Sequence, residues 1–172
     1  MSGYNKMALL EILQYPDPRL RTKAAAVTHV DAALRKQVED MYETMYEAKG
    51  VGLAATQVNI HLQIFTMDVS KSFDEPLCIL NPEITYKEGV QFESEGCLSV
   101  AEAYDKVERA MKVRMRGVDL DFKPIELEAE GLTAVCIQHE LDHLNGILFI
   151  DHLSKLKQTR IRKKIEKVNR RD

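Results

Sequence analysis

The sequence predicts an α+β fold in which antiparallel strands pack around a buried helix, with a further helix at the C-terminus. Three stretches predict it: apolar and charged residues alternate from 111 to 129, residues 132–144 are apolar almost all round, and a basic segment with a thin apolar stripe follows. The 172 residues are enough to bury a core without disulfide or metal staples, so residues 1–172 read as one domain. A 45% hydrophobic content is too high for intrinsic disorder, and 8 Gly with 5 Pro are too few for a low-complexity chain.

Taken in order, Asp31 is placed to cap a helix over 31–49, in which Leu34, Val38, Met41, Met45 and Ala48 recur at helical spacing and Gly50 marks the end. Residues 61–69 read as a strand, as do 77–80 and 83–87 on either side of an Asn81-Pro82 break. Met111, Val113 and Met115 alternate with Lys112, Arg114 and Arg116, the pattern of a half-buried strand. Past Gly117 the phase shifts to Val118, Leu120 and Phe122, as a bulge would produce. A turn at Lys123-Pro124 leads to Ile125, Leu127 and Ala129. Residues 132–144 then form a helix whose all-round apolarity means burial, stopping at Asn145-Gly146. The last helix, about 154–170, carries Leu156, Ile161, Ile165 and Val168 as its stripe.

The buried helix holds His139-Glu140-Leu141-Asp142-His143. At i and i+4 the two imidazoles lie on one helix face, about 6 Å apart along the axis, within reach of a single metal ion. Glu140 is placed to lean over the metal's open position without being a ligand. Three polar groups on a buried helix are costly unless something satisfies them, and a metal does. A catalytic site needs a third protein ligand. Cys136 shares the helix face, but it lies seven residues from His143, roughly 10 Å along a straight helix, and reads as a small hydrophobe lining the site. Cys78 lies in an apolar run and reads as core. Cys97, in Glu95-Gly96-Cys97-Leu98-Ser99, is the remaining candidate, although spacing alone does not establish it. Asp142 reads as helix-stabilising or as a support for the site. Gly50-Val51-Gly52-Leu53-Ala54-Ala55-Thr56-Gln57 lacks the third glycine of a dinucleotide fingerprint; its small residues suggest backbone close to a ligand, with Gln57 as a neutral donor.

GVGLAATQ, EGCLSV and QHELDHLNG, in that order and at these separations, resemble the three signature motifs of the peptide deformylases. PDPRLR at residues 16–21 extends the likeness, which spans the whole chain, and a C-terminal helix is similar to the bacterial type found in Gram-negative species. The resemblance implies that Cys97, His139 and His143 hold one divalent metal ion, Fe2+ by the family's habit, with Ni2+, Co2+ or Zn2+ able to substitute. It makes Glu140 the general acid/base, and Gln57 with the backbone N–H of Leu98 the oxyanion donors. Val51, Leu132, Val135 and Cys136 would line the methionine pocket, and Gly52 would pair with the substrate backbone. The implied reaction removes formate from the N-formylmethionine of nascent peptides. Thr56 and Ala101 stand where many relatives have Pro, and Tyr104 where an Arg often contacts the peptide.

Two rival readings share some of these residues. A zinc endopeptidase of the HExxH type would take a downstream ligand, for which His152 is the only histidine. A structural metal in an RNA- or ribosome-binding protein would want four protein ligands. The charge distribution bears on partners: residues 155–172 hold nine Lys/Arg against Glu166 and Asp172, a net +7, while the rest of the chain carries 15 basic and 25 acidic groups. A solvated helix face explains such a run; a dock on the ribosome through residues 155–171 is the functional alternative. No apolar run approaches the roughly 20 residues of a bilayer span, so no membrane partner is expected. The N-terminal MSGYNKMALLEILQYP lacks the pattern of a secretion signal. Three cysteines, an odd number, fit a reduced cytoplasmic location. The chain is expected to work as a monomer.

Overall fold

The computed structural model describes residues 9–171. After a 3-10 turn at Pro18–Arg21 come α1 (Ala32–Glu47), β1 (Gly52–Ala54), a 3-10 turn at Ala55–Val58, β2 (Ile64–Met67) and β3 (Leu77–Glu88). The chain continues through β4 (Gln91–Cys97), β5 (Val100–Arg109), β6 (Lys112–Val118), β7 (Pro124–Glu130) and α2 (Gly131–Leu144) to a 3-10 turn at Phe149–His152 and α3 (Lys155–Asn169). Five strands form an antiparallel sheet in the order β1-β2-β3-β6-β7, and β4 and β5 form a separate antiparallel hairpin. This is the α+β arrangement that the sequence predicts.

The helices form for local reasons and are placed by burial. Asp31 accepts the Leu34 N–H at 2.8 Å and caps α1, whose Leu34, Val38, Met41 and Met45 pack with Leu53, Ile64 and Leu80. In α2 Ala134 and Ile137 are fully buried against Phe65, Ile79, Val113 and Met115 of the large sheet. Gly146, at φ +74°, closes the helix where the carbonyl of Arg21 would lie 2.6 Å from any Cβ, so only glycine fits. A third cluster under the hairpin joins Leu20, Val100, Val107, Leu148 and Phe149. Ile161 and Ile165 of α3 pack against it, whereas Leu156 and Val168 are 69% and 43% exposed. The stripe of α3 is therefore narrower than predicted. Lys157 bonds Asp105 at 2.9 Å and Lys164 the carbonyl of Glu102 at 2.8 Å, so polar contacts to β5 complete its attachment.

Two strand predictions need correction. The expected break at Asn81-Pro82 does not end a strand: β3 runs through it with a register shift between Leu80 and Glu83. Asn81 adopts φ +53°, and its amide accepts from Val27 N at 2.8 Å and donates to Val27 O at 2.9 Å, pinning the irregularity. The bulge predicted after Gly117 is not in β6, whose pairing with β7 runs unbroken from Lys112↔Glu130 to Val118↔Pro124. It lies in β3 opposite, where a Cβ on residue 117 would meet the Leu80 carbonyl at 2.8 Å. Leu120 and Phe122 belong to a turn held by Asp119, whose Oδ1 accepts from the amides of Asp121 and Lys123. No described helix is long and apolar enough to cross a membrane.

Phe65 joins β2 to the helix cluster at zero exposure. Phe65→Ala is expected to cost about 3–5 kcal/mol, read as a lower urea midpoint at unchanged slope; a loss below about 1 kcal/mol would mean that this interface is not close-packed.

Candidate metal centre

Helix α2 and the end of β4 bring three side chains to one point. On α2 the Nε2 atoms of His139 and His143 are 3.2 Å apart, and the Cys97 sulfur lies 3.2 Å from His143 Nε2. The three ligand atoms all fall within 4.8 Å of one another. Tetrahedral bonds of about 2.0–2.3 Å place ligand atoms roughly 3.3–3.8 Å apart, so the triangle fits one first-row divalent ion after small adjustments. Nitrogen and thiolate donors together suit iron, nickel, cobalt or zinc and disfavour magnesium or calcium. Among the described residues no fourth donor joins this group. Cys136 points its sulfur toward the Val51 carbonyl, at 3.8 Å, and stands apart from the triangle; Cys78 is buried in β3. His152, the ligand that an endopeptidase reading would need, bonds Asp142 Oδ2 at 2.8 Å instead.

The orientation of His139 is set from behind. Its Nδ1 lies 2.8 Å from Glu95 Oε1, which directs Nε2 into the triangle. Glu95 is 5% exposed, and Arg109 grips it through Nε at 2.8 Å and Nη2 at 3.0 Å. Burial alone would raise the Glu95 pKa, but bonds from His139 and Arg109 outweigh it and hold it at about 2. The other guanidinium nitrogen, Nη1, donates to Asp142 Oδ2 at 2.6 Å. Asp142 thus supports the site through Arg109, as one of its two predicted roles required. Glu95 and Arg109 were not predicted as site residues. A usable signal existed: Glu95 stands only two residues before Cys97, within reach of the same site. A carboxylate on the buried face demands a cation.

Glu140 has the opposite environment. It is 3% exposed, and its Oε2 has no hydrogen-bond partner among the described residues. Burial pushes its pKa up to about 7; the charges of Glu95 and Asp142 act in the same direction, and His139 and Arg109 oppose them. A carboxyl poised near neutrality is suited to take and return a proton.

A cavity of about 300 Å³ opens onto the triangle, walled by Val51, Gly52, Leu132, Val135 and Cys136 and floored by Gln57, Cys97, Leu98, His139 and Glu140. His143 lies behind this surface, 1% exposed. A Cβ on Gly52 would come within 2.7 Å of Glu140 Oε1 and 2.9 Å of the Cys136 sulfur, so glycine is what lets β1 approach α2. Gln57 Oε1 accepts the Ala54 N–H at 2.9 Å, which turns Nε2 toward Ser99 Oγ and the Cys97 sulfur at 3.0 and 3.6 Å. The Leu98 carbonyl accepts from Gln14 Nε2 at 2.8 Å, fixing the turn after Cys97. Thr56 donates to the His143 carbonyl at 3.1 Å. Tyr104, 73% exposed, lays its ring along Gly96 at the cavity rim.

The model of the polypeptide deformylase family matches residues 9–159. The peptide deformylase of Chromobacterium violaceum is 57% identical over 161 residues, 94% of this chain and 96% of that one. The peptide deformylase of Pseudomonas aeruginosa is 56% identical over 165 residues, 95% of this chain and 98% of that one. Among solved structures, a peptide deformylase from Legionella pneumophila superposes with a TM-score of 0.91 at 46% identity, covering 95% of this chain and 96% of that chain. One from Ehrlichia chaffeensis in complex with actinonin gives 0.91 at 37% identity, over 95% and 99%.

The three thiols differ in a testable way. Burial raises the Cys78 pKa to about 12 and, together with Glu140, lifts that of Cys136 well above its ordinary value, while Cys97 is only half-buried. Metal-free protein is expected to react quickly with an aromatic disulfide reagent at one thiol per chain, and bound nickel to suppress that reaction. Two or three fast thiols would contradict the placement of Cys78 and Cys136.

Proposed function

The chain belongs to the peptide deformylase family, and from that premise we infer how its own residues divide the work. The enzyme is a metal-dependent hydrolase that removes the formyl group from the N-terminal N-formylmethionine of newly synthesised polypeptides. One observation carries the assignment of roles: the Cys97–His139–His143 triangle and the unpaired carboxylate of Glu140 open onto the same cavity.

In this reading Cys97, His139 and His143 hold the ion, Fe2+ in the cell, with Ni2+, Co2+ or Zn2+ as substitutes. A divalent ion there supplies Lewis acidity, bringing the pKa of water toward 7 and polarising the formyl oxygen. The formylmethionine side chain enters between Val51, Leu132, Val135 and Cys136, while Gly52 at the free edge of the large sheet pairs with the peptide backbone. Main-chain pairing of this kind tolerates many sequences after the methionine. Glu140 Oε2 takes the proton of the attacking water as the formyl carbon becomes tetrahedral. The Gln57 amide and the Leu98 N–H donate to the oxygen on which negative charge develops. Glu140 then delivers its proton to the departing amine nitrogen, releasing formate and a free N-terminus. A buried carboxyl without a hydrogen-bond partner at Oε2 is free to do both.

Residues 1–172 act as one catalytic domain, a monomer in the cytoplasm, where formylated chains are made. The basic face of α3 and the two arginines that follow it dock the enzyme on the ribosome: Arg160, Lys163, Lys167, Arg170 and Arg171 are all exposed, whereas Lys157 and Lys164 are engaged by β5.

Nickel-loaded Glu140→Ala is expected to release formate from a formyl-Met tripeptide about 10²–10⁴-fold more slowly than the parent, with one nickel per chain retained. Full activity would remove Glu140 from the mechanism, and lost nickel would reassign it to metal binding. Replacing Lys163, Lys167, Arg170 and Arg171 by Gln is expected to leave tripeptide turnover unchanged and to abolish salt-sensitive co-sedimentation with ribosomes. Undiminished co-sedimentation would sink the docking role.

A further inference from the structure

Ser99 has no part in the scheme above, yet it is the residue that touches two of its members. It is completely buried. Its backbone is anchored on both sides: the N–H donates to the Cys97 sulfur at 3.4 Å, and the carbonyl accepts the Tyr15 N–H at 2.7 Å. The hydroxyl oxygen lies 3.0 Å from Gln57 Nε2.

The Gln57 side chain is held at both ends. Ala54 N–H is only a donor, so the amide atom facing it at 2.9 Å is the oxygen, and the NH2 group faces the cavity. That group has two hydrogens and two acceptors within reach, Ser99 Oγ at 3.0 Å and the Cys97 sulfur at 3.6 Å. If Ser99 takes one hydrogen, the geometry of a planar amide fixes the direction of the other. Without Ser99 the amide is restrained only at its oxygen, and the thiolate becomes the best remaining acceptor. An oxyanion donor aimed at sulfur is lost to the transition state, where preorganised aim is what counts.

We propose that Ser99 is a positioning residue for catalysis, whose hydroxyl takes one hydrogen of the Gln57 amide and keeps that amide from turning fully onto the Cys97 sulfur, so that the second N–H, which the sulfur accepts only at 3.6 Å, is given up to the developing oxyanion. The proposal rests on the reading of Gln57 as an oxyanion donor. It assigns no proton transfer to Ser99 and leaves metal binding to the three ligands, since the backbone N–H to sulfur is unaffected by the side chain.

The test is a cycle of Ser99→Ala, Gln57→Ala and the double variant, each loaded with cobalt and assayed on a formyl-Met tripeptide. Alanine keeps the backbone bond to Cys97 and removes only the hydroxyl. Ser99→Ala is expected to lower kcat about 10–100-fold with KM within twofold, and to shift the sulfur-to-cobalt absorption band as the freed amide turns onto the thiolate. In the Gln57→Ala background the same substitution is expected to change neither kcat nor the band. Parental kcat in Ser99→Ala, or a loss that adds fully to that of Gln57→Ala, would overturn the proposal while leaving Gln57 its role. Parental kcat in Gln57→Ala would remove the underlying reading and the proposal with it. Thermal unfolding of each variant separates a misfolded protein from a misaimed amide; should Ser99→Ala fail to fold, Ser99→Gly, which also removes the hydroxyl and keeps the backbone N–H, replaces it with the same expectations.

Discussion

A carboxylate closed off from water between a guanidinium and an imidazole joins the two halves of this molecule. Glu95 comes from the hairpin, His139 from α2, and Arg109 from the hairpin's second strand, which in turn reaches Asp142 on α2. Breaking a buried pair of this kind by removing one partner typically costs about 3–5 kcal/mol, because the other is left charged and dry. The same bonds that dock hairpin to helix set the tautomer and aim of a ligand imidazole. Stability and chemistry share one set of atoms here.

The neighbouring acid shows how far position alone can separate two like groups. Glu95 is drawn down to about 2 by its partners, and Glu140, only one residue along α2 from His139, is driven up to about 7 by burial without a partner. One carboxyl is thereby held as an anion that orients His139, and the other, without a partner, is pushed toward its neutral form. Gly52 contributes by omission, since the space a Cβ would fill is occupied by the Glu140 carboxylate and the Cys136 sulfur. A small residue on an edge strand thus decides how closely that strand approaches α2.

Much of this was readable from the chain. Asp31 with its apolar repeat placed α1, the alternation on either side of Lys123-Pro124 placed β6 and β7, and all-round apolarity marked α2 as buried. The HExxH spacing singled out His139, His143 and Glu140, whereas Cys97, 42 positions before His139, was reached only by elimination and by the family resemblance. What stayed hidden was hidden for physical reasons. The β4–β5 hairpin buries polar residues, Gln91, Glu95 and Arg109, so its inward face does not look apolar. Val100, Ala103 and Val107 recur at helix-like intervals because β5 is irregular at Glu102, where φ is +59°. A tertiary bulge in β3 was mistaken for one in β6, since the glycine that accommodates it sits on the partner strand. Arg109 escaped notice because an ion pair between strand and helix leaves no periodic trace.

The two sources of the metal group also fix an order of events during synthesis. Cys97 and His139 are 42 positions apart in the chain, and the hairpin packs on elements on both sides of α2, from Leu20 to Phe149. While a ribosome is still making residues before His139, the emerging chain has Cys97 but neither of the two imidazoles that complete this group. Loops of this length close only once the packing that rewards them exists. Assembly of the complete three-ligand group is therefore a late event in the life of each new copy.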